Sequence, residues 1–144
     1  MIETEHYRKL ERAYRNAPVS RWYGVEASIA DGEAEIRVTI KPEFLHAAGA
    51  VHGSVYFRLL DDAAFFAVNS RVPDVFVLTV SFTVQLARAV TGGVLRSKGK
   101  VLRGGGRLFF AESHLLDDGN EVIAHGSGVF TRSSIPLDET IGYA

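Results

Sequence analysis

The chain of 144 residues has no cysteine and almost no imbalance of charge. Without cysteine there can be no disulfide, no thiolate metal ligand and no cysteine nucleophile. The formal net charge of −1 gives no overall attraction to nucleic acid or to a membrane surface. The sequence also lacks an uncharged apolar stretch long enough for a membrane-spanning helix, and a Gly-x-Ser-x-Gly motif. These absences argue against membrane insertion and against a serine or cysteine acyl-enzyme.

What is present is typical of a globular protein, with 47% hydrophobic and 23% charged residues. The length suits one domain, so we predict a single domain over residues 1–144. The first five residues are acidic and lack the apolar core of a signal peptide, which predicts a cytoplasmic location.

Residues 55–70 contain no glycine or proline, and their apolar side chains fall on almost every side of a helical wheel. This pattern is typical of a helix buried in the middle of a domain. Asp61 and Asp62 interrupt it, and a carboxylate is rarely buried without a partner. Asp62 lies four residues after Arg58, the spacing of a helical ion pair, so we expect Asp62 to be structural and Asp61 to be functional.

A histidine in a glycine-containing loop comes directly before this helix. His52 lies nine residues before Asp61, about two and a half helical turns, so one helix cannot bring the two side chains into contact. If they act together, a second copy of the chain must supply one of them. We therefore expect a homodimer.

The segment before residue 21 is predicted to be helical, with an amphipathic helix over residues 2–17 that ends before Pro18. Residues 133–144 have weak signals, and we expect this tail to be disordered or docked on a partner. The predicted strands cover residues 22–29, 33–41, 75–87, 94–102, 108–116 and 121–132.

Strands that follow one another through short turns around a single helix indicate an α+β fold. A curved antiparallel β-sheet wrapped around one long central helix accounts for the all-round apolar character of that helix. The third strand alternates in sequence, so we expect its polar side chains on one face and its apolar ones on the other. The polar set is Thr79, Ser81, Thr83 and Gln85, and the apolar set is Val80, Phe82, Val84 and Leu86.

The motif His52-Gly53-Ser54, with Gly49 before it and Asp61 after it, resembles the hotdog-fold acyl-CoA thioesterases, above all their PaaI-like branch. The resemblance covers residues 40–132. It implies the hotdog fold and a hydrolase acting on acyl-CoA, with coenzyme A as part of the substrate and no separate cofactor. It also implies a homodimer with active sites between the subunits, and further assembly into a homotetramer.

The resemblance gives each motif residue a role. Asp61 would act on the thioester as general base or nucleophile, and the backbone N–H of Gly53 would polarise the thioester carbonyl. His52 would orient this loop or contact the thioester region, and Thr79 would help to hold the attacking water. Asp61 would come from one protomer and the His52 loop from the other.

Three positions depart from the family pattern. His46 stands where the family commonly has asparagine; it can hydrogen-bond a water or a thioester, but its protonation changes near neutral pH. Ser54 replaces the second motif glycine and can bond to the backbone in the first helical turn. Arg88 is followed by Ala89, where the family usually has proline.

A glycine-rich turn between two predicted strands is flanked by arginines, and such a turn can bind the phosphates of coenzyme A. A hairpin turn with surface charge explains the same residues equally well. The expected substrate-binding residues are Gly49, Ser54, Arg88, Arg103, Gly104, Gly106 and Arg107.

Two alternatives stay open from the sequence. His52 can be a helix cap without a chemical role, and the chain can be a non-catalytic acyl-CoA-binding or regulatory hotdog protein. The remaining histidines, His6, His114 and His125, have no metal-ligand spacing, so no metal site is expected.

Overall fold

A computed structural model describes residues 2–144 as one six-stranded antiparallel sheet and three α-helices. The helices are α1 (Thr4–Asn16), α2 (Pro18–Tyr23) and α3 (Gly53–Asn69), and short 3-10 helices cover Pro42–Phe44 and Glu139–Ile141. The strands are β1 (Glu26–Ala30), β2 (Glu33–Thr39), β3 (Val75–Leu86), β4 (Val94–Arg103), β5 (Leu108–Leu116) and β6 (Val122–Pro136). Their order in the sheet is β1-β2-β4-β5-β6-β3, so β1 and β3 are the edge strands.

Helix α3 packs against the inner face of the sheet, as the apolar pattern predicts. Leu59, Leu60 and Ala63 are completely buried there. The Ser113 hydroxyl on β5 donates a hydrogen bond of 2.7 Å to the carbonyl of Leu60. On β4 the helix comes so close that a Cβ added to Gly99 would lie 2.3 Å from the backbone of Ala63. The predicted α+β architecture is therefore confirmed.

The N-terminal segment contains two helices. The predicted end before Pro18 is correct for α1, but Pro18 also begins α2, because its fixed φ suits the first turn of a helix. Gly24 then ends α2 in the left-handed conformation, with φ of 73°. The prediction that Trp22 begins a strand was therefore wrong, and β1 begins only at Glu26.

The tail over residues 133–144 is structured and packs on its own chain, so the prediction of a disordered tail was wrong. Strand β6 continues to Pro136, beyond the predicted end. The Tyr143 hydroxyl lies 2.9 Å from Nδ1 of the buried His6, and Arg12 Nε donates a hydrogen bond to the carbonyl of Ala144. His6 therefore has a structural role.

A β-bulge in β3 moves Thr79 to the other face from Ser81, Thr83 and Gln85, so the expected division of polar and apolar faces is wrong at Thr79 and holds beyond the bulge. Thr79 pairs with Phe130, but Ser81 pairs with Val129, so the strand has one extra residue at Val80. After an extra residue the alternation changes face. As a result, Thr79 and Phe82 both lie on the inner face of the sheet, although in a regular strand residues three positions apart point to opposite faces.

The close approach of α3 to β4 gives a test of the fold. Replacing Gly99 with alanine places a methyl group against the backbone of Ala63, which cannot move without moving the helix. We expect a loss of about 3 kcal/mol or more in the free energy of unfolding, measured by denaturant titration. Gly92→Ala is the matched control, because nothing lies within 4 Å of a Cβ built there. Equal stability of the two variants would contradict this packing.

Candidate active site

The loop before α3 is held in place by backbone hydrogen bonds. The N–H of His52 donates to the carbonyl of Phe44 at 2.8 Å, and the N–H of Val51 donates to that of Val90 at 2.9 Å. Gly49 supports the preceding turn with a φ of 88°, a conformation that favours glycine. In the same turn His46 Nδ1 accepts the N–H of Ala48 at 3.0 Å, so His46 stabilises the loop. These hydrogen bonds therefore hold the N-terminus of α3 in a fixed position.

His52 is the N-cap of α3. Its Nδ1 accepts the backbone N–H of Ser54 at 3.0 Å and lies 2.8 Å from the Ser54 hydroxyl oxygen. Because Nδ1 is an acceptor, the neutral ring carries its proton on Nε2. The N–H of Gly53, in the first helical turn, has no partner within the helix and points along the positive end of the helix dipole. The cap leaves this donor available for an oxyanion.

Asp61 lies near the middle of α3 and is bound by the opposite strand. The Thr79 hydroxyl donates a hydrogen bond of 2.9 Å to Asp61 Oδ1. The bulge in β3 is what directs Thr79 toward the helix. Phe57 and Phe65 lie four residues before and after Asp61 and therefore share its side of α3, where Phe57 packs on Phe82 and Phe65 on Phe76.

The surroundings of Asp61 favour its protonated form. Burial raises its pKa to about 6, the Thr79 hydrogen bond opposes this rise, and the neighbouring negative charge of Asp62 adds to it. A carboxylate with a pKa near 6 can both accept and release a proton close to neutral pH. Asp61 therefore has the properties of a general base.

The adjacent Asp62 is fully engaged in a different network. Its Oδ2 accepts hydrogen bonds from the Tyr14 hydroxyl at 2.6 Å and from Arg58 Nε at 3.0 Å, which confirms the predicted ion pair. Arg58 also donates to the Ser20 hydroxyl and packs on the ring of Tyr23, with 4.3 Å from its Cζ to the ring centroid. Two neighbouring carboxylates thus have different roles, one structural and one free to react.

The structure brings only some of the predicted site residues together. Thr79 and Asp61 are in contact, and His52, Gly53 and Ser54 form a second group at the start of α3. Gly53 precedes Asp61 by eight residues, so about 12 Å of helix separates the two groups within one chain.

The glycine-rich turn lies at the other end of the sheet. Arg132 Nε donates to the carbonyl of Gly106, and the Thr131 hydroxyl donates to that of Arg107. Arg132 also pairs with Asp74, close to the C-terminal end of α3. Within one chain the arginine turn is therefore remote from the start of α3.

Tyr14 is the residue that sequence reasoning missed. Its position on an amphipathic helix marked it only as an apolar contact, whereas its hydroxyl holds the carboxylate beside Asp61. An aromatic hydroxyl on the buried face of α1 was the available signal, since a buried Tyr O–H usually finds a partner.

Residues 2–144 contain neither a membrane-spanning helix nor a metal-binding cluster. No helix in this range is long and apolar enough to cross a membrane. Within the same range, no group of three or more histidine or carboxylate side chains could hold a metal ion.

Comparison with known proteins connects this geometry to a family. The sequence profile described as "Thioesterase superfamily" matches residues 48–124. The curated relative named "Putative esterase Rv1847", from Mycobacterium tuberculosis, is 27% identical over 97 residues, which are 65% of this chain and 69% of the relative.

Solved structures give the same result for the fold. The PaaI protein from the phenylacetic acid degradation operon of E. coli has a TM-score of 0.84 at 19% identity, covering 94% of this chain and 99% of that one. The conserved protein PA5202 from Pseudomonas aeruginosa has a TM-score of 0.78 at 26% identity, covering 85% and 98%. These similarities confirm the predicted hotdog fold and the resemblance to the PaaI-like branch.

The raised pKa of Asp61 has a consequence for stability. A carboxyl group with a higher pKa in the folded than in the unfolded state costs stability as pH rises through the interval between the two values, from about 4 to about 6. We expect Asp61→Asn, which can still accept the Thr79 hydroxyl, to remove this loss. The variant should match the wild type near pH 4 and be more stable by about 1–2 kcal/mol above pH 6, after allowance for the partial exposure of the site.

Thermal or denaturant unfolding of both proteins across this pH range measures the difference. Glu43→Gln, at an exposed carboxylate, is the control and should give no pH-dependent gain. An Asp61→Asn variant that is less stable than the wild type at pH 7 would contradict the assigned burial.

Proposed function

Because the chain belongs to the Thioesterase superfamily, a group of hydrolases, we propose that it is an acyl-CoA thioesterase in which Asp61 activates the attacking water. The observation that carries the proposal is the half-buried Asp61 carboxylate, held by Thr79 and with a pKa raised to about 6. A base of this strength is matched to catalysis near neutral pH.

The proposed reaction needs only water and the thioester. Thr79 occupies Oδ1 of Asp61, so Oδ2 takes a proton from the water as its oxygen attacks the thioester carbon. The carbonyl oxygen becomes an oxyanion and is stabilised by the N–H of Gly53. When the carbon–sulfur bond breaks, Asp61 returns the proton to the leaving thiolate, which gives a carboxylic acid and free coenzyme A. No metal or redox cofactor takes part in this scheme.

The scheme requires the Gly53 N–H close to Asp61, and a second copy of the chain can supply it. Strand β3 is a long edge strand of 12 residues with exposed apolar side chains at Leu78, Val80 and Leu86. Such an edge is a template for pairing with another chain. Phe57 on α3 is also 40% exposed beside this edge. We assign this surface to the homodimer.

Antiparallel pairing of β3 with its copy provides the required geometry. Gly53 lies against Leu86, since a Cβ built on Gly53 would be 3.3 Å from Leu86 Cδ1. Leu86 is seven residues from Thr79, about 23 Å along the strand. If the two-fold axis passes between Phe82 and Thr83, Leu86 of one copy stands opposite Thr79 of the other. The Gly53 N–H of one copy then faces Asp61 of its partner.

The same pairing suggests where coenzyme A lies. It sets Arg88 of one copy near Val77 of the other, and Val77 pairs with Arg132, which holds the glycine-rich turn. Arg88, Arg103 and Arg107 would thus come together around the phosphates of the nucleotide, where guanidinium groups bind well. Assembly into a homotetramer and a cytoplasmic location remain predictions.

Release of free thiol from aryl, short-chain and medium-chain acyl-CoA substrates tests the proposal. We expect wild-type turnover to increase as pH rises through about 6 and then to level off, as the Asp61 carboxyl ionises. Asp61→Asn should lose activity by about 10²- to 10⁴-fold, the usual contribution of a general base. Thr79→Ala should lose less activity. In the wild type the hydrogen bond from Thr79 lowers the pKa of Asp61, so its removal should raise that pKa and move the acid limb of the pH profile to higher pH.

Glu43→Gln should behave as the wild type in this assay. Wild-type protein that binds acyl-CoA but releases no thiol from any substrate would contradict the enzyme and favour a non-catalytic acyl-CoA-binding protein. Full activity in Asp61→Asn would contradict the role of Asp61 as the general base.

A further inference from the structure

The aromatic pair of Phe57 and Phe82 joins the middle of α3 to the middle of β3. The two ring centroids are 5.6 Å apart, and the rings meet edge to face. Phe82 packs against the core, whereas Phe57 is 40% exposed beside the free edge of the sheet. The pair also lies between the two groups of the candidate site, since Gly53 comes four residues before Phe57 and Asp61 four residues after it.

In the proposed homodimer this pair lies on the two-fold axis. An axis that brings Gly53 of one copy to Asp61 of the other also brings Asp61 of the first to Gly53 of the second. The two α3 helices are then antiparallel where they meet, and Phe57, halfway between these positions, faces its own copy. The paired β3 strands have their centre between Phe82 and Thr83. Because Phe57 packs on Phe82 within each chain, the two centres coincide and one axis serves both.

The direction of the acyl group follows from where coenzyme A leaves the site. In the proposed pairing the phosphates lie near Val77, which is on the side of Thr79 away from the axis. The sulfur of the thioester therefore points away from the axis, and the acyl group, on the other side of the carbonyl, points toward it. Phe57 and its copy stand in this direction, about 6 Å from Asp61 along the helix. This distance leaves room for a short acyl group only.

We propose that Phe57 is a specificity-determining residue that closes the acyl pocket, and that the rings of the two copies form one wall shared by both active sites. This inference rests on the proposed thioesterase function and its homodimer. In the wild type the wall limits each site to short acyl groups. Without the two rings, a single apolar space bounded by Phe82 and its copy would be open to both sites.

The first test compares kcat/KM of wild type and Phe57→Ala over straight-chain acyl-CoA substrates of increasing length. Each methylene that enters the opened space is expected to raise kcat/KM roughly four-fold, so the preferred chain should be longer in Phe57→Ala. Phe57→Leu keeps part of the wall and should give a smaller shift in the same direction. Phe110→Ala is the matched control, because Phe110 is exposed on the outer face of the sheet, and it should keep the wild-type chain-length preference.

The second test asks whether the two sites share the opened space. Asp61→Asn is expected to bind acyl-CoA without turning it over, so titration calorimetry in this background gives the number of molecules bound per dimer. Asp61→Asn alone should bind two short-chain acyl-CoA molecules. Asp61→Asn with Phe57→Ala should bind two short chains but only one long chain tightly, because two long chains would need the same space. Sedimentation and thermal unfolding of each variant check that it is a folded dimer.

The outcomes separate the inference from its premises. An unchanged preference in Phe57→Ala and Phe57→Leu, both folded and dimeric, would overturn the role of Phe57 and leave the thioesterase intact. Two long chains bound tightly per dimer of the double variant would overturn the shared wall. Absence of wild-type turnover on the whole series would overturn the proposed function, and the number of chains bound would still test the wall. A monomeric wild type would overturn the homodimer and the shared wall together.

Discussion

The burial of two adjacent carboxylates in one apolar helix is the constraint on which the site depends. Only Asp62 has a cation beside it, and satisfying this charge takes Arg58 from the same helix and Tyr14 from α1. Removing one member of a buried ion pair leaves the other charge uncompensated. The stability lost in this way exceeds the stability that the intact pair contributes. The N-terminal helices are thus fixed to α3 by the residue next to Asp61. Asp61 receives one hydroxyl instead of a cation, and its pKa rises.

The second half of the proposed site is a helix terminus, and its position is the reason that the proposed site takes two copies of the chain. Within one chain, the free N–H at Gly53 and the carboxylate of Asp61 are separated by about two turns of helix. In the proposed homodimer, pairing through the exposed edge of β3 would join the N-terminus of one helix to the middle of another. The apolar side chains on this edge, which would be a liability in a monomer, would be covered by the same pairing. In this account the dimer is a condition of catalysis.

Much of this arrangement follows from sequence patterns with a local cause. The all-round apolar helix, the turn-separated strands and the spacing of Arg58 and Asp62 each depend on neighbouring residues, and the structure contains all three. The bulge at Val80 does not follow from such a pattern, because strict alternation continues through it in the sequence. The docking of the tail depends on a contact between His6 and Tyr143, which are 137 positions apart. The bond from Tyr14 to Asp62 is likewise a long-range contact that no periodicity predicts.

The most direct test of a catalytic site shared between two copies is complementation between two inactive variants. Asp61→Asn removes the base, and Gly53→Pro removes the N–H while keeping a residue that suits the first turn of a helix. His52 already has ψ of 141°, a conformation compatible with a following proline. In a mixed dimer one site keeps Gly53 from one chain and Asp61 from the other. Equal co-expression should therefore restore thiol release to roughly a quarter of the wild-type rate, since half of the dimers are mixed and each has one intact site. Mixed dimers that form but remain inactive, with each variant folded on its own, would contradict the shared site.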